Sequence, residues 1–122
     1  MRFQVIIAGG RDFNDYALLC SKCDMFFCKK TPSAIISGMA RGADSLGVRY
    51  AREHGIPVLE FPADWKTLGK RAGILRNLQM LDVADAVVAF WDGQSRGTGH
   101  MISETKKRGL PLRVVGYKKG GS

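Results

Sequence analysis

Ile35-Ile36-Ser37-Gly38-Met39-Ala40-Arg41-Gly42-Ala43-Asp44-Ser45 is the stretch from which the fold of this chain can be read. A β-branched run breaks at a Ser-Gly turn, a second glycine follows four residues on, and a helical pattern opens with an aspartate in its first turn. Strand, glycine loop and helix in that order bring free backbone N–H groups and the positive end of a helix dipole to one point, where an anion binds well. Phosphate is the expected anion. Gly38 and Gly42 do not match the spacing of G-x-x-x-x-G-K-[ST] and only loosely echo a dinucleotide fingerprint, so the weight comes from repetition along the chain.

Three more strand-like runs end in the same style. Val5-Ile6-Ile7-Ala8 runs into Gly9-Gly10-Arg11-Asp12, Val58-Leu59-Glu60-Phe61 into Pro62-Ala63-Asp64-Trp65, and Val87-Val88-Ala89-Phe90 into Trp91-Asp92-Gly93-Gln94-Ser95-Arg96-Gly97-Thr98. Helical patterns separate them: about 15–28 with Asn14 or Asp15 as cap, 43–54 ending at Gly55-Ile56-Pro57, 70–83, and 97–107 ending at Gly109. A fifth strand is expected at 112–115. Strands apolar on both faces and joined by helices read as a parallel sheet covered on both sides. The fold class is therefore α/β, a three-layer Rossmann-like fold with a five-stranded parallel sheet in the order 3-2-1-4-5. Strand ends in such a sheet share one edge, and ligands bind where the strand order reverses.

The length of 122 residues, with 45% hydrophobic and 25% charged, suits one domain. We assign it to residues 1–117 and read 118–122 as a flexible basic tail. With no basic-then-apolar leader and no apolar run of membrane-spanning length, a soluble cytoplasmic protein without membrane contact is expected. The net charge of +8 suits a polyanion, but the basic residues are scattered singly apart from Lys106-Lys107-Arg108 and Lys118-Lys119. Cys20 and Cys23 fall on the apolar stripe of the first helix with Tyr16, Leu19 and Phe27, so they read as small core residues rather than metal ligands. His54 and His100 stand apart, and no metal or cofactor is expected.

The loops carry the candidate site. Gly9 and Gly10 permit close approach of a ligand or of another backbone, and Arg11 offers a planar fork for phosphate or carboxylate. Gly93, Ser95, Gly97 and Thr98 form a second cradle at the start of a helix, where Ser95 or Thr98 can equally serve as a cap. Asp92 is placed to accept from a ribose hydroxyl, or from its own turn. On the third helix Ile74, Leu75, Leu78 and Leu81 make one apolar stripe. Ala72, Gly73, Arg76, Asn77, Met80 and Ala84 make a second face, expected to meet a second subunit or a ligand, with a homodimer through residues 70–84 as the favoured assembly.

These motifs together resemble one family. Ala8-Gly9-Gly10-Arg11-Asp12-Phe13, Ser37-Gly38-Met39-Ala40-Arg41-Gly42-Ala43-Asp44, Arg76-Asn77-x-x-Met80 and Asp92-Gly93-x-Ser95-x-Gly97-Thr98-x-His100-Met101-Ile102 look like the YspA-type branch of the SLOG superfamily. The resemblance implies a Rossmann-like domain whose pocket accepts a nucleotide-like ligand such as an ADP-ribose derivative. The superfamily also includes LOG phosphoribohydrolases and the single-strand DNA-binding DprA proteins. LOG enzymes pair a helix arginine, matched here by Arg76, with a Glu three residues after the loop threonine. Met101 stands at that position in this sequence, and Glu104 lies one turn further on.

Three functions of different class follow. The first is binding or sensing of a nucleotide-derived phosphate by Gly9, Gly10, Arg11, Ser37, Gly38, Arg41, Gly42, Asp44, Asn77, Gly93, Ser95, Gly97 and Thr98 together with Arg76. The second is N-glycosidic hydrolysis of a nucleotide, with Arg76 and with Asp92, Asp44 or His100 in place of the missing Glu. The third is binding of single-stranded DNA, with Trp65 and Trp91 as stacking platforms.

Overall fold

The computed structural model describes residues 2–118, so the expected tail, save Lys118, lies outside the described residues. Its strands are β1 (Gln4–Gly9), β2 (Ala34–Ser37), β3 (Val58–Glu60), β4 (Ala86–Trp91) and β5 (Leu112–Gly116). All neighbours pair in parallel, in the order β3-β2-β1-β4-β5. This is the Rossmann-like order expected from the sequence. Ile6 in the central strand is flanked by Ile36 on one side and Val87 on the other, which fixes the register across the middle of the sheet.

Helices α1 (Tyr16–Phe26) and α2 (Ala43–Glu53) cover one face; α4 (Ala72–Val83) and α5 (Arg96–Lys107) cover the other. The two-residue period of a strand divides the core accordingly. Val5, Ile7 and Ile35 point to the first layer with Leu19, Cys23 and Tyr50, while Ile6, Ala8, Ile36 and Val87 point to the second with Met80, Leu81 and Met101. Full burial of Ile6, Ile7, Ile35 and Ile36 stabilises the fold by roughly 1.5–3 kcal/mol for each. Cys23 is buried in the first layer, where desolvation pushes its thiol up to about 12 and keeps it protonated. Cys20 packs beside that layer, and Cys28 is exposed.

Local signals explain most boundaries. Asp15, not Asn14, caps α1 by accepting from Leu18 N–H at 3.0 Å. Past the end of α2, Gly55 takes φ +67° while Ile56 N–H reaches back to the Ala51 carbonyl at 2.8 Å. The helical region expected from residue 70 is longer and broken: a short helix α3 (Trp65–Leu68), capped by Asp64, and a 3-10 turn (Gly69–Arg71) precede α4. A four-residue helix has no room to show a 3.6-residue period, so its sequence does not announce it.

Both faces of α4 contribute to the interior, Leu81 from the apolar stripe and Met80 and Ala84 from the mixed face. The mixed face is turned onto the protein itself: Ala72, Asn77, Met80 and Ala84 are buried, with Met80 and Ala84 in the second core layer. Four of the six residues expected to meet a second subunit or a ligand are thus buried within the protein itself. Ile74, on the apolar stripe, is 50% exposed.

Candidate functional site

The reversal between β1 and β4 opens a cavity of about 690 Å³ at the carboxyl ends of the strands, within the size range of small-molecule sites. Ala8, Met80 and Met101 line it with apolar surface, and Arg11, Lys70, Arg76 and Arg96 line it with positive charge. A smaller hollow of about 310 Å³ adjoins it, lined by Gly38, Arg41, Pro62 and others, and shares Arg11, Ala40, Trp65 and Arg76 with the first.

Arg76 and Asn77 anchor the wall that α4 provides. Arg76 Nη1 donates to the Gly38 carbonyl at 2.6 Å, and its Nε donates to Asn77 Oδ1 at 3.2 Å. Asn77 Nδ2 then donates to the Gly97 carbonyl at 3.2 Å and lies 3.3 Å from His100 Nδ1. An arginine donor on one side of the amide and a carbonyl acceptor on the other fix its orientation, and an amide donor facing Nδ1 selects the His100 tautomer protonated at Nε2. One polar chain thus ties β2, α4 and α5 together around the cavity. Sequence periodicity placed Arg76 and Asn77 on the mixed face but did not show these partners.

Asp44 lies almost wholly buried at the start of α2. Desolvation raises its pKa, and the Arg76 charge and the Ala40 N–H, 3.3 Å from Oδ2, pull it back down. Burial likewise lowers the pKa of Arg76, against the attraction of Asp44. The two heads converge above Gly38: a methyl group built there would lie 2.5 Å from Arg76 Nη1 and 2.8 Å from Asp44 Oδ2.

Several expected ligand contacts are used by the protein itself. Gly42, with φ +76°, begins α2 without a side-chain cap, but the Gly10 carbonyl already accepts from Ala43 N–H at 3.2 Å. The first loop therefore takes up one of the N–H groups at this helix end. A Cβ on Gly42 would stand 2.2 Å from the Gly10 oxygen, and one on Gly10 would strike the Tyr117 hydroxyl. Ser37 is buried, its Oγ accepting from Met39 N–H at 3.1 Å, and lines neither hollow. Gly93, at φ +84°, shapes its loop without lining either. Gly38 and Arg41 border the smaller hollow only.

The second cradle is more open. Asp92 Oδ1 accepts from Gln94 N–H at 2.9 Å and Ser95 N–H at 2.8 Å, the turn alternative for this residue. Ser95 occupies the cap position of α5, yet no side chain caps the helix; Ser95 Oγ and Thr98 Oγ1 instead lie 3.3 Å apart. The first-turn N–H groups of a helix have no partner within it, and here Arg96, Gly97 and Thr98 all line the large cavity. Gly97 and Thr98, with Gly9, Gly10, Arg11, Asp44, Arg76, Asn77, Asp92, Ser95 and His100, are the expected residues that the fold brings together. Met101, in the position of the LOG glutamate, is buried and apolar, so the carboxyl groups on the cavity come from Asp12, Asp44 and Asp92.

Comparison with known proteins agrees with this architecture. The YspA, cpYpsA-related SLOG family matches residues 3–67, from β1 through β2 and α2 to the start of α3. The Gene 61 protein of Mycobacterium phage D29 is 35% identical over 122 residues, which cover 94% of this chain and 98% of that protein. The chain belongs to this SLOG family. No solved structure matches it. The SLOG match covers the Gly9–Arg11 loop and the Ser37–Asp44 motif; the relative extends the likeness through α4 and α5, which complete the cavity. Lys70, Arg96 and Trp65 also line the cavity, and the sequence reading did not assign them to the phosphate site. Their signal is positional: each lies just before or at a helix start on the ligand edge, and none belongs to a motif.

Proposed function

We propose that this SLOG domain binds a nucleotide-derived phosphate ligand in the large cavity, as a binding or sensing module. One observation carries the reading: the uncapped N-terminus of α5 opens into a cavity of about 690 Å³ at the point of strand reversal, among Arg11, Lys70, Arg76 and Arg96. Phosphate would meet the first-turn N–H groups of α5 and the hydroxyls of Ser95 and Thr98. The apolar surface of Met80 and Met101 suits the uncharged part of such a ligand. Calorimetric titration of AMP and ADP-ribose tests this. Binding is expected, with a thermal stabilisation of about 2.7 kcal/mol at about a hundred times Kd. Arg76→Ala is expected to weaken binding about tenfold or more. Flat titrations together with an unmoved melting temperature would refute the reading.

The raised pKa of Asp44 supports a second reading, N-glycosidic hydrolysis, because a carboxyl with enhanced proton affinity on the cavity wall is suited to acid–base work. Water would add to the anomeric carbon as the base departs with the bond's electron pair and takes up a proton. Release of free base from AMP, abolished by Asp44→Asn, is the expected result under that reading.

A further inference from the structure

Two tryptophans stand near the ligand edge, and they are built differently. Trp91 Nε1 donates to the Ser95 carbonyl at 3.0 Å, and its ring packs where a methyl group on Gly99 would touch it at 3.4 Å. It braces the loop before α5. Trp65 opens α3, is 49% exposed, and lines both the large cavity and the smaller hollow. One ring edge rests against Gly73 of α4, where an added Cβ would lie 3.3 Å from Cη2. The Arg11 guanidinium lies over this ring, 5.6 Å from its centroid, at the long end of the cation–π range.

We infer that Trp65 is the platform on which the aromatic base of the ligand stacks, so that the protein selects a nucleoside phosphate over a bare sugar phosphate. This rests on the phosphate-binding reading and adds the base. The ring is held along one edge by a glycine that leaves room for it, while the cationic groups of the cavity stand on the same rim. A large apolar ring half open to water beside a charged cavity is a poor arrangement for stability and a good one for stacking a planar, partly polar ring. The count of platforms favours one nucleotide over a strand. Single-strand binders stack successive bases on successive aromatic rings, and Trp91, which the sequence offered as the second, is committed to its own loop.

The test compares AMP, ribose 5-phosphate and a short oligodeoxythymidylate on wild type, Trp65→Phe and Trp65→Leu by calorimetry and indole fluorescence. Circular dichroism and melting confirm that the variants fold, as an exposed position permits. Wild type is expected to bind AMP about tenfold tighter than ribose 5-phosphate, with a change in fluorescence. Trp65→Leu should lose both that preference and the fluorescence change while keeping its affinity for ribose 5-phosphate, and Trp65→Phe should keep most of the preference. If ribose 5-phosphate binds and AMP binds no better, or if Trp65→Leu keeps the preference, the platform is refuted and the phosphate site stands. If neither compound binds wild type, both readings fall. An oligonucleotide bound more tightly than AMP would replace the single-base assignment with a strand.

Discussion

Gly9 and Gly38 both stand at or just past strand ends, yet a methyl group added to each meets a different obstacle. At Gly9 it would lie 2.4 Å from the Phe90 carbonyl oxygen and 2.7 Å from Ala43 Cβ, so backbone and helix must move. Gly9→Ala is expected to cost about 1–3 kcal/mol in a denaturant melt. At Gly38 the obstacle is led by the far end of the Arg76 side chain, which can swing away from the Gly38 carbonyl. Gly38→Ala is expected to unfold close to wild type while binding phosphate ligands several-fold more weakly; unchanged affinity would show that Arg76 does not need this anchor. Asp44 adds a pH dependence. Its folded pKa is raised above the unfolded value of about 4, so its favourable contribution is complete below that value and is lost as pH rises through the folded pKa. The Arg76 charge limits this loss. Removing it in Arg76→Ala raises the Asp44 pKa further, so the variant's destabilisation should be greater at pH 7 than at pH 4. Equal losses in melts at the two pH values would overturn that coupling.

At the scale of elements, strands and sheet order were legible because apolar runs bounded by glycines leave little choice, and the ends fell within a residue or two of expectation. Helix α4 was legible as a helix with two faces, but periodicity cannot say which face is inside. Its polar members decided the matter: Asn77 requires buried partners and finds them at Gly97 and His100, and Arg76 finds the Gly38 carbonyl. The glycines leave a similar choice open. A sequence shows that something approaches a glycine closely, and at Gly10 and Gly42 that neighbour is the protein's own Tyr117 hydroxyl and Gly10 carbonyl. The inward position of Met80 has a measurable consequence. Met80→Ala, at a position 2% exposed in the second core layer, should cost about 2–5 kcal/mol, whereas Ile74→Ala should change stability by about 0.5 kcal/mol or less. Comparable losses at both sites would mean that the stripe with Ile74 is covered in solution, as a two-fold assembly through α4 would now require.

Across the whole molecule the +8 charge asks whether the partner is one phosphate group or a chain of them. Several cations away from the cavity are committed locally: Arg2 pairs with Asp85, Arg49 with Glu53, Lys107 with Glu104 and Arg108 with Asp82. Lys106, Lys107 and Arg108 lie at the C-terminal end of α5, the opposite end of that helix from the cavity. Arg11, Lys70, Arg76 and Arg96 instead gather on one hollow. A mononucleotide carries no condensed counterion atmosphere to release, so its binding should weaken with salt only through screening of a few charges. A plot of log K against log salt for AMP, from about 0.05 to about 0.5 M, is expected to have a slope no steeper than about −1. A single strand with four phosphates neutralised would give about −2.8. Measuring both ligands by fluorescence titration separates the cases. A shallow slope for AMP with weaker oligonucleotide binding fits a compact anion site, while tight oligonucleotide binding with the steep slope would move the function from a nucleotide to a nucleic acid.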